Sequence, residues 1–270
     1  MTIAWSEYFE ADRLRAFPAL PLGEDAALWA WGGSTGRGAR VAIVDSGVDA
    51  AHPAVGGLAG SVAFEPDATM PWGHRAVPTQ ARDLAGHGTA CAGIVRALAP
   101  DAEIWSVRVL GETMRGRAAV LAAAMDWVVE QGFDVANLSL STPNPDWFAD
   151  LHRLVDHAYF RGTVLVSALN NVFKPTYPSE FAAVCSVATA GPPGTPLAYN
   201  VTPPAEFGAP GVDVPVAWLD GATATVSGNS FAAAHVSGLA ALVRAKHPGL
   251  PPHAVKAALA AAASNARPEG

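Results

Sequence analysis

Gly228-Asn229-Ser230-Phe231-Ala232-Ala233-Ala234-His235-Val236-Ser237-Gly238 is the stretch on which the reading of this chain turns. Ser230 stands between a glycine turn and an alanine-rich apolar run of helical period. A helix starting there sets the serine hydroxyl beside backbone N–H groups that lack an intrahelical partner, at the positive end of the helix dipole. An attacking hydroxyl needs such donors, because negative charge develops next to it. Serine is also a common plain N-cap, so the stretch alone does not choose between the two roles. The choice depends on what else the chain carries.

Downstream, Val236, Leu239, Ala240 and Val243 continue one apolar face until His247-Pro248-Gly249 breaks the helix. A second helix begins near Pro251-Pro252 and carries Val255, Leu259 and Ala262. Upstream, short apolar runs at 40–45, 104–110, 135–141, 164–168 and 184–188 read as buried strands. Helical patterns lie between them. One spans 115–131, with Leu121, Met125 and Val128 on one face; another follows Asn144-Pro145, with Leu151, Leu154, Val155, Ala158 and Tyr159. Asn144 as cap and Pro145 at the first helical position mark its start. Alternating strands and helices imply an α/β fold: a parallel central sheet with helices on both faces. Ligands in such sheets gather at the carboxyl ends of the strands, where Asp45 stands. Residues 56–80, with Trp72 and His74, read as a long irregular insert.

With 270 residues, half of them hydrophobic, one sizeable core is expected. A formal charge of −7 argues against a nucleic-acid surface. No unbroken apolar stretch of about 18 residues suggests a membrane span. The first nine residues include Glu7 and have no apolar centre, unlike a secretory signal. Cys91 and Cys185 cannot build a disulfide framework and read as buried free thiols. A cytoplasmic protein is the expectation. Residues 1–37, rich in aromatics and proline, read as an extension of a domain covering 38–270.

Two further segments complete the argument. Asp45 closes the first core strand in Asp45-Ser46-Gly47-Val48-Asp49, and His87 opens a small-residue helix in Gly86-His87-Gly88-Thr89-Ala90. A nucleophilic serine needs a base that titrates near neutrality, and the base needs a carboxylate to set its tautomer. In the order Asp, His, Ser, these segments closely resemble the signature motifs of the subtilisin-like serine proteases, a chain order characteristic of that family. The resemblance covers most of the chain, from about residue 38 to residue 263.

It implies a three-layer α/β fold with a parallel central sheet of about seven strands. It implies that Asp45 orients His87, that His87 takes the proton of Ser230, and that Ser230 attacks the scissile carbonyl of a peptide or protein substrate. It makes Asn170 the oxyanion-hole side chain, with Asn171 the alternative one position on. The segment Ser139, Leu140, Ser141 and Thr142 resembles the family's substrate-binding strand. Asn171 and Thr176 are expected in the opposite pocket wall, with small or medium uncharged side chains preferred there.

The chain departs from the family at several places. Ser141 and Thr142 stand where the family usually has glycines, and their side chains are expected to narrow the pocket. Asn229 and Phe231 flank the serine where the family commonly has threonine and methionine, and Ala234 replaces a proline before the motif histidine. The loop after the histidine helix and the aspartate after His52-Pro53, which hold a structural calcium in many relatives, are missing, so no metal or cofactor is expected. A protease of limited, processing specificity is the reading. Its alternatives are a maturation protease with ligase activity and a non-catalytic binding protein of the same fold. Phe17-Pro18-Ala19-Leu20-Pro21 could block the cleft; packing across the core is the preferred expectation. Asp83 is a support for the His87 loop, a residue lining the substrate cleft, or a solvated turn residue. His152 and His157, five apart, do not share a helix face, which argues against a metal-ligand pair.

Overall fold

Val41 and Ile43 face one hydrophobic cluster, while Ala42 and Val44 face another. This alternation along a single strand sets the architecture. The strand is β2 (Arg40–Asp45), and because its neighbours bury both faces in the same way, the sheet needs helices on each side. The computed structural model describes every residue except 1–3, 5, 11, 14–16, 19–24, 81 and 268–270.

In chain order the elements are β1 (Phe17–Pro18), α1 (Ala26–Trp31), β2, β3 (Gly60–Pro66), β4 (His74–Pro78), α2 (His87–Leu98), β5 (Glu103–Arg108) and α3 (Ala118–Glu130). There follow β6 (Val135–Leu138), α4 (Phe148–Arg161), β7 (Val164–Ala168), β8 (Cys185–Gly191), β9 (Ala198–Tyr199), β10 (Phe207–Pro210), β11 (Val214–Ala217) and β12 (Thr223–Val226). The chain ends with α5 (Asn229–Lys246), α6 (Pro252–Ala261) and β13 (Ala266–Arg267).

The main sheet runs β4-β3-β5-β2-β6-β7-β8-β10-β9. The seven strands from β3 to β10 in that order are parallel, as expected, and an antiparallel strand flanks them at each edge. Helices α2, α5 and α6 cover one face and α3 and α4 the other.

Residues 56–80 are not an irregular insert. They hold β3 and β4, a hairpin that extends the sheet beyond β5. Most of β3 is half-buried, so its sequence lacks the continuous apolar signal of the inner strands. Asn144 caps as expected, accepting from the Asp146 N–H (3.0 Å), but the cap begins a short 3-10 turn and α4 follows at Phe148.

The described parts of residues 1–37 pack on the domain. β1 pairs with β13, and Trp29 stacks on His247 with ring centroids 4.3 Å apart. Residues 19–21 of the segment considered for cleft blocking lie outside the described residues. Among the described residues no helix is long and apolar enough to cross a membrane.

Candidate active site

From β2 the sheet grows toward β5 and β3 on one side and toward β6, β7 and β8 on the other. The carboxyl end of β2 is therefore a topological switch point, where a crevice forms. Asp45 pairs with Arg108, Val44 with Leu138, and Leu138 with Ser167, so Asp45, Ser139 and Ala168 reach this crevice at nearly one level.

His87 comes to Asp45 through a backbone approach that only glycine permits. A Cβ on Gly88 would lie 1.9 Å from the Gly47 carbonyl oxygen. Gly47 itself has φ of 106°, with the Arg82 carbonyl oxygen 2.2 Å from where its Cβ would be. The two glycines let the first turn of α2 sit on the end of β2.

Asp83 locks the junction. It is buried and accepts from Ser46 Oγ (2.7 Å), Thr89 Oγ1 (2.6 Å), Thr89 N (2.8 Å) and Ala85 N (2.9 Å). Ser46 Oγ in turn accepts from Gly88 N at 3.2 Å. Of the three roles open to Asp83, the structure shows the supporting one.

His87 Nδ1 lies 2.8 and 2.9 Å from the two oxygens of Asp45. Ionised carboxylate oxygens only accept, so Nδ1 carries the hydrogen and Nε2 keeps the lone pair in the neutral ring. Burial disfavours the charged imidazole. The Asp45 carboxylate, by charge and hydrogen bond, and Asp83 by charge outweigh this and hold the pKa above its ordinary value. Phe231 packs its ring against the imidazole, with centroids 5.4 Å apart.

Ser230 lies in the first turn of α5 and is 8% exposed. Its hydroxyl donates to the Ser139 carbonyl oxygen at 3.3 Å. Beneath it runs a polar chain: Ser237 Oγ donates to Asn137 Oδ1 (2.9 Å), and Asn137 Nδ2 donates to Ser139 Oγ (2.8 Å). Cys91 Sγ is 3.4 Å from Ser139 Oγ. Cys91 and Cys185 are both free and buried, as expected. Burial first, then the Asp45 charge, pushes the Cys91 thiol well above its usual pKa, so it is a protonated neighbour.

Ser230 opens onto a cleft of about 210 Å³ lined by Leu110, Met114, Ser139, Leu140, Ser141, Ala168, Leu169, Asn170 and Asn171. Among the described residues, no charged side chain lines it. Asn170 Oδ1 accepts from Val172 N (2.9 Å), which fixes the amide and leaves Nδ2 to donate. Asn171 Oδ1 accepts from Asn229 N (3.0 Å). Thr142 forms a two-hydrogen-bond bridge with Tyr177 and closes the segment begun by Ser139.

Thr176 is a correction to the expected wall. It is fully buried, bonds through its hydroxyl to Ser179 Oγ (2.8 Å), and is absent from the cleft lining. Leu110 and Met114 line the cleft without having been anticipated, because they arrive from the loop after β5. His157, set aside beside His152, instead faces two carboxylates across the helix pair: Asp126 (3.8 Å) and Glu130 (3.2 Å), both from α3.

An aspartate–histidine pair at strand ends beside a helix-initial serine is the equipment of a serine hydrolase. Comparison with known proteins narrows this class. The sequence model of the subtilase family matches residues 36–270. Subtilisin BL from Lederbergia lenta is 32% identical over 233 residues, spanning 80% of each chain. M-protease from Shouchella clausii is also 32% identical over 233 residues, which are 56% of its length. A cold-adapted subtilisin-like serine proteinase of known crystal structure superposes with a TM-score of 0.64 at 25% identity, over 83% of this chain and 81% of that one. The chain belongs to the subtilase family and is a subtilisin-like serine endopeptidase.

Proposed function

We propose that Asp45, His87 and Ser230 form the catalytic triad of an acyl-enzyme mechanism. The observation that carries this reading is the double contact of His87 Nδ1 with Asp45, which leaves Nε2 free to accept a proton. The Ser230 side chain turns from the Ser139 carbonyl toward Nε2 as it attacks; apo sites commonly hold this contact loosely. His87 then returns the proton to the leaving amine. Asn170 Nδ2 and the Ser230 N–H receive the developing oxyanion. Ser139, Leu140 and Ser141 hold the substrate as an added strand, ending at Thr142. A fluorophosphonate probe tests the reading: it labels Ser230, and labelling disappears in Ser230→Ala and His87→Ala. Labelling retained in Ser230→Ala overturns it.

The uncharged cleft lining, which includes Ser141 where the family usually has a glycine, supports small or medium uncharged residues before the scissile bond and limited processing of a peptide or protein. Cleavage of a peptide library, with Ser230→Ala as control, reads that preference. Transfer of the acyl group to added amines would mark ligase activity; hydrolysis alone removes that alternative. The unpaired thiols of Cys91 and Cys185 support a cytoplasmic location.

No calcium is assigned. At the two places where the family would hold one, Arg96 already supplies a cation. Its guanidinium donates to the carbonyls of Val55 (2.9 Å) and Gly57 (3.3 Å) after His52-Pro53, and to those of Pro100 (2.7 Å) and Ala102 (2.8 Å) after α2. Carbonyl dipoles turned onto a guanidinium, with no carboxylate in the set, do not fit a hard divalent ion.

A further inference from the structure

Asn229, the residue before the proposed nucleophile, is fully buried and has both polar atoms of its side chain engaged. Its Oδ1 accepts from Thr189 N at 2.9 Å. Its Nδ2 faces three carbonyl oxygens: Ala4 (3.0 Å), Leu169 (3.1 Å) and Asn170 (3.3 Å). Its backbone N–H donates to Asn171 Oδ1. Ala4 closes the ring by donating its own N–H to the Asn171 carbonyl at 3.0 Å. One amide thus joins the base of α5, the 169–171 loop and a segment from the far end of the chain.

The segment is anchored independently of this amide. Ala4 and Phe9 are buried in a small cluster with Leu169, Ala188, Ala198 and Ala205. Phe9 lies against the backbone of Gly208, where a Cβ would come within 2.3 Å of its ring. The N-terminal segment therefore backs the loop that carries Asn170.

We propose that the docked N-terminal segment is a positioning element of the active site, and that Asn229 is the positioning residue through which it acts. The inference rests on the oxyanion role assigned to Asn170. Asn170 must hold its Nδ2 at a fixed point, and its loop is held at the Leu169 and Asn170 carbonyls by an amide whose third acceptor is Ala4. A primary amide has two hydrogens for these acceptors; a threonine hydroxyl has one, on a shorter arm. With the segment undocked, the amide loses an acceptor, Asn171 loses a donor to its carbonyl, and the loop is free to shift. Release of the first residues of the chain would then lower turnover without touching the triad.

The test is a double-mutant cycle in the full-length protein. Ala4→Pro removes the N–H given to Asn171, and Asn229→Thr removes the amide. Turnover is expressed per serine titrated with a fluorophosphonate, so that unfolded protein does not count. Ala4→Pro is expected to lower kcat roughly tenfold with KM within about twofold, since a slightly misplaced group costs rate more than binding. In the Asn229→Thr background the same change adds little, the non-additivity of groups that act together. A purely structural role would lower Tm and leave kcat per titrated serine unchanged in Ala4→Pro, which overturns the proposal. Asn170→Ala is run alongside. If it alone lowers kcat, the oxyanion reading stands and the N-terminal inference falls. If Asn170→Ala leaves kcat intact, the oxyanion reading itself has failed.

Discussion

His87 carries opposing forces that fix how the enzyme responds to pH. Burial disfavours the imidazolium, and the charges of Asp45 and Asp83 favour it more strongly, so its pKa is raised. In the proposed triad, only the neutral ring accepts the serine proton. The acidic limb of kcat/KM is therefore expected above about pH 6.5, the ordinary histidine value. Stability follows the opposite course. The protonated pair's contribution is fully present below the unfolded-state pKa and is lost as pH rises through the higher folded-state value. Asp83→Asn removes one of the charges that raise the pKa, so the limb is expected to move to lower pH; a limb that stays put or moves up refutes that contribution. Asn170→Ala is expected to lower kcat about 10²- to 10³-fold, the loss known for removing this kind of oxyanion donor in subtilisin, while Asn171→Ala costs less. The reverse ranking in single-turnover acylation would transfer the role to Asn171. Asp45, His87 and Ser230 could be nominated from the sequence because each sits in a distinctive glycine or small-residue context, and the structure brings Asp45 and His87 into contact. The roles of Asp83 and Asn137 were not legible, because a buried acceptor and a solvated one look alike until their donors arrive from elsewhere in the chain.

Helix α2 shows how an element delivers a side chain. Its first turn rests on β2 through Gly88 and Gly47, and the close approach there leaves no room for a methyl group. Gly88→Ala should push the helix start away from Asp45, with an overpacking cost of about 1–3 kcal/mol and loss of the His87–Asp45 contact. Thermal melting and probe labelling read the two effects; normal labelling at normal Tm would show that the approach is not needed. Buried strands and helices were readable from apolar runs and period. The β3–β4 hairpin was not, because its strands are mostly half-buried and give no continuous apolar run to detect. Thr176 was misassigned for a related reason: whether a turn residue faces a cleft or the interior depends on the Thr142–Tyr177 bridge, a contact 35 residues apart in sequence.

At the scale of the molecule, Arg96 ties the loop after β2 to the turn after α2 through four backbone carbonyls. A hydrogen bond to a charged group contributes about 1.5–3 kcal/mol net of its exchange with water, and less for a guanidinium that stays partly solvated. Arg96→Ala is expected to cost about 2–3 kcal/mol overall, or roughly 4–12 °C in Tm for a chain of this size. A chelator should leave Tm unchanged. A large chelator-induced fall, or an unchanged Tm in Arg96→Ala, would show that something other than this guanidinium holds the two loops. The N-terminal residues read in sequence as an extension that packs across the core or blocks the cleft, with no partner named, while in three dimensions Ala4 and Phe9 back the loop behind Ser230. The sequence by itself determined the layered parallel architecture and the order Asp, His, Ser, because apolar period and short-range glycine geometry are local properties of a chain. Only the tertiary structure decided which carbonyls Arg96 and Asn229 meet. Their partners lie at separations from a few residues to 225, and which of these contacts form depends on how the sheet, helices and termini pack together.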